Sequence, residues 1–151
     1  YATLSVDNVV KIDASIPLDR AALVGCAVTT GVGAVFNTAR VHPGSCVLVL
    51  GCGGVGLNVV QGAVIAGAEK IIALDTSEEK LTMARQFGAT HTVLAVPGED
   101  PVKAIKKLTG GGPDYAFECV GHPAWCCCNN RFSGYRVIRC LGGRCCAATN
   151  Q

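Results

Sequence analysis

Gly51, Gly53 and Gly56 stand at the spacing G-x-G-x-x-G, directly after the apolar run Ser45-Cys46-Val47-Leu48-Val49-Leu50. With Gly54 and Val55 they form a loop able to cradle a pyrophosphate. The first glycine permits a tight turn, the second lets the backbone approach the phosphates, and the third lets helix and strand pack closely. A helix opening there offers unpaired N–H groups and a partial positive charge. Asp75 closes the next apolar run, 24 positions after Gly51. A carboxylate there can accept both ribose hydroxyls of adenosine and would repel a 2′-phosphate. Positions 76–79 hold no arginine, which favours NAD over NADP. Lys80 can reach the same ribose or stand as a surface lysine. A ligand-free turn and a solvated strand end would leave the same letters. Methyltransferases also use a glycine loop and an acid at these places. The three-glycine spacing and Val55 favour the dinucleotide.

These groups need a parallel sheet to position them. Residues 45–50 read as a buried strand, and Leu57–Ala66 as a helix that Gly67 can stop. Lys70–Leu74 reads as a second strand. Thr76-Ser77-Glu78-Glu79 is a capping box opening a helix from Ser77 to about Phe87. A third strand is expected over His91–Ala95, a helix over Asp100–Leu108 with Val102, Ile105 and Leu108 on one face, and a fourth strand over Tyr115–Val120. The alternation predicts an α/β, Rossmann-like, doubly wound parallel sheet, incomplete at its C-terminal end. Before it, one helix is expected from Ile16 to about Gly25 and a second over Thr30–Thr38. The division is thus 1–42, a helical link from a further domain, and 43–151, the dinucleotide-binding domain. Tyr1 as first residue suggests a piece of something longer.

The chain of 151 residues is half apolar and 16% charged, with mean hydropathy +0.38, which excludes a disordered tail. A net charge of +2 gives no pull toward nucleic acid. Charge-free stretches at 21–39 and 41–68 have the length of membrane spans, but Thr29, Thr30, Asn37, Pro43, Asn58 and internal glycines argue against one. Cys26, Cys46, Cys52 and Cys119 lie scattered among aliphatics, as buried thiols in a reducing compartment do. Cys26, read from its surroundings, is a buried helix thiol. His42 and His91 read as structural or surface histidines.

Together, Gly25-Cys26-Ala27-Val28-Thr29-Thr30-Gly31, the loop at 51–56, Asp75 and Phe117-Glu118-Cys119-Val120-Gly121 closely resemble the zinc-dependent medium-chain alcohol dehydrogenases. The resemblance covers about residues 1–124. It implies NAD and zinc as cofactors, an alcohol or aldehyde as substrate, a cytoplasmic location and a homo-oligomer. Cys26 matches a ligand of the catalytic zinc. Thr30 matches a catalytic-site residue beside the nicotinamide, and Val55 the residue behind that ring. Asp75 and Lys80 match the adenosine-ribose contacts, and Cys119 and Val120 further cofactor contacts. Alternatives are a zinc-free reductase of the same superfamily, an S-adenosylmethionine-dependent methyltransferase and an inert dinucleotide-binding module.

Residues 125–151 depart from this pattern. They hold six of the ten cysteines, among them Cys126-Cys127-Cys128, and four arginines with no acid. That enrichment is what a GC-rich gene gives when read out of frame, so a frame error or junction near Trp125 is one reading. A metal site is another, although no paired C-x-x-C spacing occurs. Arg144–Ala148 after Gly142-Gly143 can form a fifth strand.

Overall fold

The computed structural model describes residues 3–121, 136–141 and 144–149. Six strands form one sheet in the order β3-β2-β1-β4-β5-β6. They are β1 (Cys46–Leu50), β2 (Lys70–Asp75), β3 (His91–Leu94), β4 (Tyr115–Glu118), β5 (Arg136–Leu141) and β6 (Arg144–Thr149). The first five run parallel and β6 pairs antiparallel to β5. The order runs outward from β1 to β3, then resumes on its other side with β4. That reversal puts a topological switch point between β1 and β4, where open α/β sheets bind ligands. Leu50 pairs with both Leu74 and Glu118, so β1, β2 and β4 end at one edge.

Helices cover both faces, which makes the sheet doubly wound as expected. On one face, α2 (Gly54–Ile65) and α3 (Glu78–Gln86) pack Val59, Val60, Ala63, Leu81 and Ala84 against Val47, Val49, Ile71, Ala73 and Phe117. On the other, α4 (Pro101–Thr109) brings Val102 and Ile105 onto Leu48, Leu50, Ile72, Leu74 and Ala116. Every one of these side chains is almost wholly buried, and each such aliphatic contributes roughly 1.5–3 kcal/mol. The polar contacts described below are smaller individually, so they orient the site rather than hold the sheet together.

Four local expectations change. The two helices foreseen before residue 43 are one, α1 (Leu18–Ala39), in which α-helical turns alternate with wider π turns at Val24–Val28 and Ala34–Ala39. Gly25 keeps helical backbone, so nothing stops the run until Arg40 turns left-handed at φ 52°. Its second half lies on α2. A Cβ at Gly31 would stand 2.6 Å from the Val55 carbonyl oxygen, so only glycine lets the helices come this close. By length and composition α1 could cross a membrane, yet Ala34, Val35 and Ala39 are buried in the core cluster instead.

Helix α3 is capped by Ser77, whose hydroxyl accepts from the Lys80 N–H at 3.4 Å. Lys80 therefore fills the place a reciprocal box would give to glutamate, and the cap is one-sided. Strand β4 ends at Glu118 rather than Val120, because the Glu118 side chain captures the following backbone (below). Beyond residue 135 there are two strands, not one. The sequence Arg136–Leu141 alternates polar and apolar, and its Ile138 is fully buried beside Phe117.

Candidate functional site

At the switch point the chain leaves β1 through Gly51, whose φ of +90° favours glycine. The Gly51 N–H donates to the Leu74 carbonyl at 2.8 Å, tying the loop to the end of β2. Gly56 sits directly on this bend, since a Cβ there would fall 1.8 Å from the Gly51 carbonyl oxygen. A Cβ at Gly53 would meet nothing within 4 Å. The three glycines thus divide as their spacing suggests: a bend, an open approach and a close contact. Helices α3 and α4 begin with side-chain caps, from Ser77 and Asp100, but Gly53 gives α2 none. The first-turn N–H groups of α2 have no side-chain oxygen upon them, which suits an anion.

Asp75 is 7% exposed and grips both sides of the crevice. Its Oδ2 accepts from the Cys52 N–H at 2.8 Å and its Oδ1 from the Ser77 N–H at 3.0 Å. Lys80 Nζ lies 3.9 Å from Oδ1, with its side chain 54% exposed, so this ion pair contributes at most about 1 kcal/mol. Each carboxylate oxygen keeps a lone pair that can accept from a hydroxyl. Gly51, Gly53, Leu74, Asp75, Thr76, Lys80, Cys119 and Val120 enclose a cavity of about 280 Å³. Six of the residues singled out in the sequence thus line one crevice: Gly51, Gly53, Asp75, Lys80, Cys119 and Val120.

Cys26, Thr30, Gly54 and Val55 lie outside that cavity, on the side where α1 rides over the loop. A Cβ at Gly54 would lie 3.5 Å from the Ala27 Cβ, and Gly31 touches Val55. Cys26 is exposed, which corrects the expectation of a buried helix thiol. Its turn of α1 packs too little against α2 to cover it. Cys52 is buried, and Cys46 and Cys119 partly so. Among the described residues no three His, Cys, Asp or Glu side chains are placed to hold a metal. Cys126, Cys127 and Cys128 lie outside the described residues.

Burial, and then the Asp75 charge, push the Cys52 thiol up to about 12, against the smaller opposing pull of Lys80. Iodoacetamide at pH 8 is expected to alkylate Cys26 fully while Cys52 stays unmodified, as peptide mapping would show. Equal modification of the two would contradict this burial. An unfolded thiol titrates near 9.0 and folded Cys52 near 12, so the unfolded chain releases its proton first. Stability unaffected below pH 9 is therefore lost progressively as pH rises toward 12. Cys46, raised by burial and by Asp114, adds to the same slope. Urea unfolding from pH 8 to 11 should show the decline, and Cys52→Ala should make it shallower.

Sequence reasoning missed Glu118. It is fully buried, and its Oε1 accepts from the Val120 and Gly121 N–H groups, both at 2.7 Å. The signal was a carboxylic acid ending an otherwise apolar strand.

A glycine loop at the switch point of a doubly wound sheet, with an acid ending the second strand, defines a Rossmann-like nucleotide-binding domain. Comparison with known proteins gives the family. Zinc-binding dehydrogenases match residues 54–126. The chain is 44% identical over 135 residues to Alcohol dehydrogenase-like 7 of Arabidopsis thaliana, covering 85% of this chain and 35% of that protein. It is 45% identical over 123 residues to Alcohol dehydrogenase class-3 of Oryza sativa subsp. japonica, covering 81% and 32%. Its structure superposes on benzyl alcohol dehydrogenase from Acinetobacter calcoaceticus with a TM-score of 0.80 and 34% identity, covering 94% and 39%. The chain belongs to the zinc-binding dehydrogenase family and spans about a third of the length of the curated relatives it matches.

Proposed function

We propose that this chain is the NAD-binding part of a zinc-dependent alcohol dehydrogenase that transfers hydride between an alcohol, or an aldehyde adduct, and NAD. The observation that carries the proposal is Asp75, a nearly buried carboxylate that clamps the glycine loop and still faces the cavity beside Lys80. The adenosine ribose would lie on Asp75 and Lys80, the pyrophosphate on Gly51, Gly53, Gly54 and Gly56. Cys119 and Val120 would wall the crevice from β4. Thr30 and Val55 would flank the nicotinamide, which when bound supplies the carbon that takes or gives hydride. The chain's own work is to bind and orient that cofactor.

Cys26, as an exposed thiol, is proposed as one ligand of the catalytic zinc. A catalytic zinc takes three protein ligands, and the described residues do not bring such a set together. They do not by themselves fit the metal, so no step is derived through it. The chain alone is expected to show little turnover. The exposed Leu18, Leu23 and Val24 around Cys26 fit a surface that a further domain covers. A cytoplasmic homo-oligomer acting on small alcohols or aldehydes completes the proposal.

Titration calorimetry of the chain with NAD, NADP and S-adenosylmethionine tests the reading. NAD should bind, with NADP at least about tenfold weaker because its 2′-phosphate meets a carboxylate and Glu78 and Glu79 follow. Binding of S-adenosylmethionine in preference to NAD would replace this function with methyl transfer.

A further inference from the structure

The crevice is held from a second side, by the turn that follows β4. Glu118 pairs in register with Leu50 and shares its strand face with Ala116, in the layer formed by Leu48, Leu50, Ile72 and Leu74. Within that apolar layer it is 0% exposed, and its Oε2 has no hydrogen-bond partner. A buried, unpaired acceptor works against stability, whereas an apolar residue would fit the layer without that cost. What the carboxyl group achieves is local: Oε1 takes the N–H groups of both Val120 and Gly121. This ends the strand and folds Val120 back over the loop. A Cβ added to Gly51 would come within 2.5 Å of Val120 Cγ2, so the valine lies directly on the bend. Val120 is also part of the cavity wall, on the other side from Asp75 and Lys80.

We propose that Glu118 is a positioning residue for the adenosine end of the crevice, acting through Val120. The inference rests on the dinucleotide reading above and adds a residue that touches no ligand. It separates binding from folding. A residue kept for stability loses both when replaced. Glu118 sacrifices stability to fix a wall, so the two move apart on substitution.

The experiment is AMP titration by calorimetry, with thermal melts, on wild type, Glu118→Leu, Glu118→Gln, Val120→Ala and the Glu118→Leu/Val120→Ala double variant. Glu118→Leu should melt at or above the wild-type temperature yet bind AMP about tenfold more weakly, as expected for losing a pair of buried acceptor contacts. Glu118→Gln keeps an acceptor oxygen and should bind within about threefold of wild type. In the Val120→Ala background, Glu118→Leu should cause no further loss, because residues acting through one another are not additive. Wild-type AMP affinity in folded Glu118→Leu would overturn the proposal, as would full additivity of the two losses. If Glu118→Leu does not fold, weak binding by folded Glu118→Gln overturns it, and near-wild-type binding supports it. Wild type binding neither AMP nor NAD would overturn the dinucleotide reading and, with it, this inference. Wild type binding AMP normally while the Glu118 variants do too would overturn the inference alone.

Discussion

Alanine at Gly56 is expected to cost the chain about 3 kcal/mol or more, the upper range for overpacking a core, because the added methyl has nowhere to go. It would fall 1.8 Å from the Gly51 carbonyl oxygen and 2.9 Å from its carbon. These are backbone atoms, so no rotamer change relieves the clash. Gly51 cannot retreat easily, since its φ of +90° and its N–H bond to Leu74 both fix it. The remaining relief is for α2 to lift from the sheet, which loosens Val59, Val60 and Ala63 from the core. A domain of this size has a total stability of about 5–15 kcal/mol, so urea unfolding should show a clearly lowered midpoint. Gly53→Ala is the control, because its methyl would meet nothing within 4 Å. That variant should unfold within about 0.5 kcal/mol of wild type while NAD binds at least about tenfold more weakly, its methyl standing where the pyrophosphate approaches. A Gly56→Ala chain as stable as wild type would remove the close-packing argument, and an unaffected NAD affinity in Gly53→Ala would remove the open-approach argument.

The difference between those two glycines shows what could be read in the letters. Their spacing identifies a bend, an approach and a contact because each demand excludes a side chain for a separate steric reason. Apolar runs closed by glycine likewise identified β1 and β2, since a strand buried on both faces has little freedom of composition. Where several solutions satisfy local rules, the reading failed. Gly25 looked like a helix end, yet a glycine lowers helix stability by only about 1 kcal/mol, and packing on α2 carries the helix through. Cys26 looked buried because its neighbours are apolar. Whether an apolar helix face is covered depends on a partner the local sequence does not specify, and here Leu23 and Val24 beside it are exposed. Glu118 escaped because its role depends on where the chain goes after β4, which no periodicity encodes. The tail was legible as a change of composition. The pairing of Arg136–Leu141 beside β4 was not, because that depends on a non-local register.

Asp75→Ser should change the choice between NAD and NADP more than it changes anything else in the site. The substitution removes two things at once. The loop loses the acceptor of the Cys52 and Ser77 N–H groups, and leaving the buried Cys52 N–H unpaired costs about 1–3 kcal/mol of stability. The cofactor loses the acceptor of its ribose hydroxyls. A fall in NAD affinity alone cannot divide these effects, because a loosened loop binds any pyrophosphate poorly. The ratio of the two dissociation constants can. NAD and NADP place the same pyrophosphate on the same glycines, so a loop defect weakens both equally and cancels. Only the group facing the 2′ position survives in the ratio. With the carboxylate gone, the 2′-phosphate loses a repulsive neighbour and keeps Lys80, whose Nζ is released from its 3.9 Å pairing with Asp75. The ratio should therefore move toward NADP by about tenfold or more, equivalent to roughly 1.4 kcal/mol. Calorimetric titrations of both cofactors, with a melt of the free protein, give the ratio and the loop effect separately. A lowered melting temperature with an unmoved ratio would reduce Asp75 to a clamp on the loop and take the ribose away from it.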